Sequence, residues 1–253
     1  MSWNVNSIKM REARVLDLLT VHQPDVLCLQ ELKCEADKFP RTAIEALGYA
    51  CAISGQKTYN GVALLSRHPI TDVQVGFEAP STTPPQARWL DASIQGVRVA
   101  SAYVPNGQDI GTDKYAYKLN WLEKLRTYLE PRLNRSQWII GGDFNVAPED
   151  RDIHDPDLWS GKILCSDPER KSLQQLMALG LNDTFRTLHT EGGQFSWWDY
   201  RALGFPKNHG LRIDLLLASR SLAGHCTQAT IERSYRKGPS PSDHAPVSAV
   251  FEL

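Results

Sequence analysis

Trp138-Ile139-Ile140-Gly141-Gly142-Asp143-Phe144-Asn145 is a short apolar run that ends on two glycines, an acid and an amide. The run predicts a buried strand over 138–141. The glycines lead into Asp-Phe-Asn rather than a lysine and a hydroxyl, so they do not form a phosphate-cradling loop. Working outward, similar β-rich runs lie at 26–30, 61–66, 97–104, 213–218 and 247–251. Apolar residues at helical spacing separate them at 10–20, 117–129 and 168–179, the last with Pro168 near its first turn and Gly180 just past its end. Strands alternating with helices, without a break in composition, predict one layered α/β domain over 1–253. Two loops stand out. Residues 78–86 carry three prolines and read as an exposed connection, and 195–211 is aromatic and basic and precedes a strand.

The 253 residues, 42% apolar, suffice for a sizeable core. A net charge of -1 argues against a protein that coats nucleic acid by bulk charge, though not against a local basic face. The cysteines (Cys28, Cys34, Cys51, Cys165, Cys226) are odd in number and lack the short spacing of zinc or redox motifs, so they read as reduced thiols. No run approaches the ~20 apolar residues of a membrane span, and the start has no basic-then-apolar signal pattern. Cytoplasm is the expected compartment.

Polar residues gather where the strands end, the usual place for ligands in α/β folds. Asp143 and Asn145, two apart on an extended segment, would face one spot; an Asx turn after the strand is the alternative. Glu31 ends the run Leu27-Cys28-Leu29-Gln30 and suits a hard metal, or else simply opens a polar loop. Asp214 sits in the apolar run Ile213-Asp214-Leu215-Leu216-Leu217, where an unpaired carboxylate is costly. His244, in Ser242-Asp243-His244-Ala245-Pro246, is a candidate partner. Asn4, in the segment that opens the chain, and Tyr103, at a turn after a strand, could hydrogen-bond a carboxylate or a phosphate, or serve only structurally. Acids, amides and one histidine, without a Ser or Cys nucleophile or a His/Cys zinc cluster, point to metal-assisted hydrolysis with water as nucleophile.

The motifs resemble the exonuclease III branch of the endonuclease/exonuclease/phosphatase superfamily. They run in order along the chain: Trp3-Asn4-Val5-Asn6-Ser7, Leu29-Gln30-Glu31-Leu32-Lys33, Lys57-Thr58-Tyr59-Asn60-Gly61-Val62, Tyr103-Val104-Pro105-Asn106-Gly107, Gly142-Asp143-Phe144-Asn145-Val146-Ala147-Pro148, Phe195-Ser196-Trp197-Trp198-Asp199-Tyr200, Leu211-Arg212-Ile213-Asp214-Leu215 and Ser242-Asp243-His244-Ala245-Pro246-Val247. The resemblance implies a four-layered α/β sandwich with two central mixed β-sheets flanked by helices. It implies a DNA phosphodiesterase that cuts 5′ to abasic sites and trims blocked 3′ ends, with possible 3′-5′ exonuclease activity. Its cofactor would be Mg2+, with Mn2+ able to substitute, and its substrate double-stranded DNA met by a monomer. Glu31 would hold the metal, with Asn4 beside it and Asp243 near it or at a second metal position. Asp143 would position or deprotonate water, oriented by Asn4. Asn145 and Tyr103 would bind the phosphate, and His244 paired with Asp214 would stabilise the transition state. Trp197 and Trp198 would read the lesion, core packing being the alternative for the pair, with Asn106, Arg88, Lys207 or Arg201 on the DNA backbone. Trp159 and His154 read as structural. Only two residues precede Trp3, fewer than is usual in that family, which leaves the first strand and the hold on Asn4 open.

Three rivals stand beside this reading. A phosphoinositide or sphingomyelin phosphatase of the same fold fits the tryptophan loop less well. A secreted deoxyribonuclease would carry a signal peptide and disulfides. A catalytically dead binding module would have lost a key group, yet Glu31, Asp143, Asn145, Asp214 and His244 are all present.

Overall fold

The computed structural model describes residues 1–77 and 86–252, so the proline-rich connection expected over 78–86 lies outside the described residues except for Gln86. Its strands are β1 (Ser2–Asn4), β2 (Val26–Gln30), β3 (Ala50–Ser54), β4 (Val62–Ser66), β5 (Thr71–Val75), β6 (Trp89–Ile94), β7 (Val97–Tyr103), β8 (Trp138–Asp143), β9 (Leu181–Asp183), β10 (Asp214–Ser219), β11 (Cys226–Ile231) and β12 (Val247–Phe251). The helices are α1 (Ile8–His22), α2 (Arg41–Glu45), α3 (Asp113–Leu133), α4 (Pro156–Trp159), α5 (Asp167–Met177), α6 (Thr184–Leu188) and α7 (Arg220–Ala223). Two six-stranded sheets result, in the orders β11-β12-β1-β2-β4-β3 and β5-β6-β7-β8-β10-β9. Each is mixed, with one parallel pair at its centre, β1/β2 in one and β7/β8 in the other. The arrangement β1-β2-β4-β3 in the first sheet recurs as β7-β8-β10-β9 in the second.

Side-chain alternation along the strands sorts the core into layers. Leu27 and Leu29 of β2 face α1 and pack with Ile8, Val15 and Leu18. Trp138 and Ile140 of β8, with Ala100 and Ala102 of β7, face α3 and α5 through Trp121, Leu125 and Leu173. Between the sheets, Cys28 and Leu64 meet Leu90, Val99 and Ala218. The sheets come close at Gly141, where a Cβ would lie 2.9 Å from Leu216 Cδ2 and 3.0 Å from Ser2 Cβ. Glycine at this position is a requirement of the seam.

The same alternation sends Asn4, Gln30, Tyr103, Asp143 and Asp214 to the inner faces, all at one end of the sandwich. The strand anticipated over 138–141 runs two residues further and includes Asp143. The first strand, left open by the short start, forms. Ser2, Trp3 and Asn4 pair in parallel with Cys28, Leu29 and Gln30, and Trp3 Nε1 donates to the His244 carbonyl at 3.0 Å. All five cysteines are free thiols, and no helix among the described residues is long and apolar enough to cross a membrane.

Candidate active site

Asp143 is 1% exposed at the end of β8. Its Oδ1 accepts the Asn145 backbone N–H at 2.9 Å. Its Oδ2 accepts from the Asn4 amide at 2.9 Å and the Asn145 amide at 3.2 Å. The Asx turn and the converging side chains, posed as alternatives above, are therefore one structure. Asn145 is not extended, however. Its φ is +50°, a left-handed conformation that asparagine tolerates better than most residues. Both its amide hydrogens are engaged, by Asp143 and by the Val104 carbonyl at 3.0 Å, and its Oδ1 accepts from Asn106 at 3.0 Å. The structure thus makes Asn145 a support for Asp143 rather than a free phosphate donor.

Asn4 uses one amide group twice, donating to Glu31 Oε1 at 2.8 Å as well as to Asp143. Its oxygen accepts the Asn6 N–H at 3.0 Å. Asn4 therefore bridges the two carboxylates through its amide nitrogen, while its oxygen rests on the Asn6 backbone. Asp243 lies outside the Glu31–Asp143–His244 cluster, and its oxygens accept from Asn6 Nδ2 at 2.9 Å and Trp197 Nε1 at 3.0 Å.

His244 is paired as expected, with Nδ1 2.8 Å from Asp214 Oδ2. Its Nε2 lies 3.8 Å from Asp143 Oδ2, too long for a hydrogen bond and so free to donate elsewhere. Burial pushes the imidazolium down, but the pull of Asp214 and Asp143 outweighs it and lifts the pKa to about 10. Burial also raises the Asp143 carboxyl, with His244 opposing. The Tyr103 phenol is raised by burial, then by Glu31 and Asp143, and its ring lies under the Arg88 guanidinium at 4.6 Å. Asn106 is exposed.

Donor atoms of Glu31, Asp143 and His244 lie within 4.8 Å of one another. The two carboxylates suit a hard divalent cation. His244 has its Nδ1 committed to Asp214, and the carboxylates around it favour its protonated form. Lys33 Nζ sits 3.0 Å from Glu31 Oε2, so a positive charge already rests against this carboxylate.

The model of the Endonuclease/Exonuclease/phosphatase family matches residues 1–244. Exodeoxyribonuclease III of Haemophilus influenzae is 36% identical, over 99% of this chain and 98% of its own length. The chain belongs to the exodeoxyribonuclease III family. Two solved structures are similar throughout. The 3′ phosphatase NExo from Neisseria, bound to a product DNA hairpin, shares 42% identity at a TM-score of 0.97, covering 100% of this chain and 98% of that one. An AP endonuclease from Archaeoglobus fulgidus shares 36% at 0.94, with the same coverage. Like these exodeoxyribonuclease III relatives, the protein is a hydrolytic nuclease.

The tryptophan pair of this exodeoxyribonuclease III member divides. Trp197 is half-buried and its backbone bridges to Leu211 and His244. Trp198 is 0% exposed, packed edge-on against Phe205 at 5.1 Å with Nε1 donating to Asn208 at 3.2 Å. Core packing, the alternative reading of the pair, therefore describes Trp198, whose ring has no exposed face for the lesion-reading role. Trp198→Ala is expected to cost about 3–5 kcal/mol in urea unfolding. Arg201 is exposed and paired with Asp199, and Lys207 lines an open cavity with His154 and His209.

Three contributors escaped the sequence reading. Ser196 donates to Asp214 Oδ2 at 2.6 Å and accepts from the Asp214 N–H at 3.0 Å. Asn6 links Asp243 to Lys33, whose Nζ donates to Asn6 Oδ1 at 2.6 Å. Each lies inside a quoted motif, but nothing in the residue order signals a side chain that serves another. Left-handed φ at Asn6, Glu31, Lys33 and Asn145 marks the same corner as locally strained backbone.

Proposed function

We propose that this nuclease hydrolyses duplex DNA on the 5′ side of abasic sites and removes 3′ blocking groups, as a cytoplasmic monomer dependent on Mg2+, with Mn2+ able to substitute. The observation that carries the reading is the row Glu31–Asn4–Asp143–His244–Asp214: a carboxylate for a cation, a buried carboxylate for water, and an imidazolium facing it. Asp143 accepts the proton of water as the oxygen attacks phosphorus, and the 3′ oxygen leaves with the electron pair of its bond and takes a proton from solvent. His244 Nε2–H and the Tyr103 hydroxyl donate to phosphoryl oxygens that gain charge in the transition state. Glu31, with Asp143 nearby, would hold the metal, which when bound supplies further charge neutralisation at the phosphate. Arg88 and Asn106 contact the backbone. The remaining edge of Trp197 walls the pocket for a flipped sugar without a base.

Glu31→Gln is expected to weaken metal affinity by about 10–100-fold, read by titration calorimetry on the DNA-free protein. Unchanged affinity would move the cation elsewhere. A second reading, 3′-end cleaning with little abasic-site activity, draws support from the likeness to a 3′ phosphatase. Labelled duplexes with one abasic-site analogue, with a 3′-phosphate nick, or intact, each assayed with magnesium and with chelator, separate the two. Magnesium-dependent incision at the analogue supports the first. Loss of the 3′-phosphate without incision supports the second, and inertness on every duplex sinks both.

A further inference from the structure

Lys118 lies on α3 behind the site with a fully buried ammonium paired to the equally buried Glu169. Its Nζ also donates to the backbone carbonyls of Asn145 at 2.6 Å and Asn106 at 3.1 Å. These belong to the loops that follow β8 and β7. Glu169 is anchored in turn by the Ser166 N–H at 3.0 Å and the Leu164 N–H at 3.1 Å. Gly107 completes the enclosure, since a Cβ there would lie 3.1 Å from Lys118 Cδ at a φ of +89°.

A buried ion pair is a poor stabiliser, because desolvation of both charges offsets their attraction and apolar residues of similar volume often serve as well. What an apolar pair could not do is hold two carbonyls from different strands. We propose that Lys118, fixed by Glu169, is a positioning residue that sets the left-handed turn at Asn145 and through it the orientation of Asp143. The linkage is continuous. Lys118 fixes the Asn106 and Asn145 backbones, Asn106 donates to Asn145, and Asn145 donates twice to Asp143. The inference rests on the reading of Asp143 as the group that handles water, and it adds a determinant on the helix behind the loops that carry the site.

The test uses Lys118→Met and the charge-balanced double variant Lys118→Met/Glu169→Gln. Single-turnover rate is measured on whichever duplex the wild-type enzyme cleaves, with the dissociation constant for that duplex in chelator and the thermal midpoint. The expected result is a rate lower by about 10–100-fold, as misplacement of a reacting group by an ångström produces, with dissociation constant within twofold and the double variant folded. Added to Asp143→Asn, Lys118→Met should then cost little more, since both act through one group. A rate within twofold of wild type, a parallel loss of rate and binding, full additivity with Asp143→Asn, or melting of both variants below the assay temperature overturns the inference. A wild-type protein inert on every duplex fails the proposed function itself, whereas an active wild type with an undiminished Lys118→Met fails only this inference.

Discussion

Asp143→Asn is expected to lower single-turnover cleavage by about 10²–10⁴-fold, the range lost with a general base. An ordinary carboxylate is a weak base at neutral pH. Burial raises this one, which brings its proton affinity closer to what the step needs. Asparagine keeps the size but cannot take the proton. The folded state should survive. Asn145 N–H can still donate to the remaining oxygen, while the new NH2 group would face the amides of Asn4 and Asn145, both donors to the present Oδ2. That mismatch costs roughly 1–3 kcal/mol, tempered by removal of a buried charge near Asp214 and Glu31. Quenched-flow cleavage and urea unfolding on the same preparation decide it. A folded variant with near-native rate would strip Asp143 of its role.

His244→Asn is expected to lower the rate by about 10²–10³-fold, as loss of a transition-state donor does, and unlike Asp143→Asn to destabilise the protein by about 3–5 kcal/mol, because Asp214 keeps its buried charge with the neutral Ser196 hydroxyl but no cation beside it. The pH dependence of stability should change with it. The imidazole is raised from 6.5 to about 10 in the folded state. Its contribution is therefore fully present below about pH 6.5 and lost as pH climbs through about 10. In chelator, wild-type stability should fall across this window, while the His244→Asn curve should be flatter there. Superimposable slopes would mean that His244 is neutral in the fold.

The six strands and three longer helices expected from periodicity all form, since each buries a run or face that hydrophobic patterning alone specifies. Residues that missed notice are of two kinds. Edge and short strands such as β5, exposed at every position, and β1, three residues long, carry too little apolar pattern to register. The second kind comprises residues whose work is indirect. Asp143, Glu31 and His244 were legible because an ionisable group at the end of an apolar run demands an explanation. Lys118 was not, because a lysine in an amphipathic helix normally points to water, and only the docking of α3 on α5 closes solvent away from it. Trp198 is the opposite case: beside Trp197 it reads as part of one aromatic surface or as core, and because neighbouring residues face opposite ways only one of the two falls into the core.

The recurrence of β1-β2-β4-β3 as β7-β8-β10-β9 bears on how the reaction centre is composed. Asn4 and Glu31 end, or directly follow, the parallel pair of one sheet; Tyr103 and Asp143 end the parallel pair of the other. The molecule is in this sense a dimer within one chain, with its chemistry where a subunit interface would be. A true homodimer must present identical groups from both sides of its twofold axis. A single chain is under no such obligation, so an amide and a cation-seeking carboxylate can stand opposite a phenol and a buried base, and an asymmetric reaction can be run at a nearly symmetric junction.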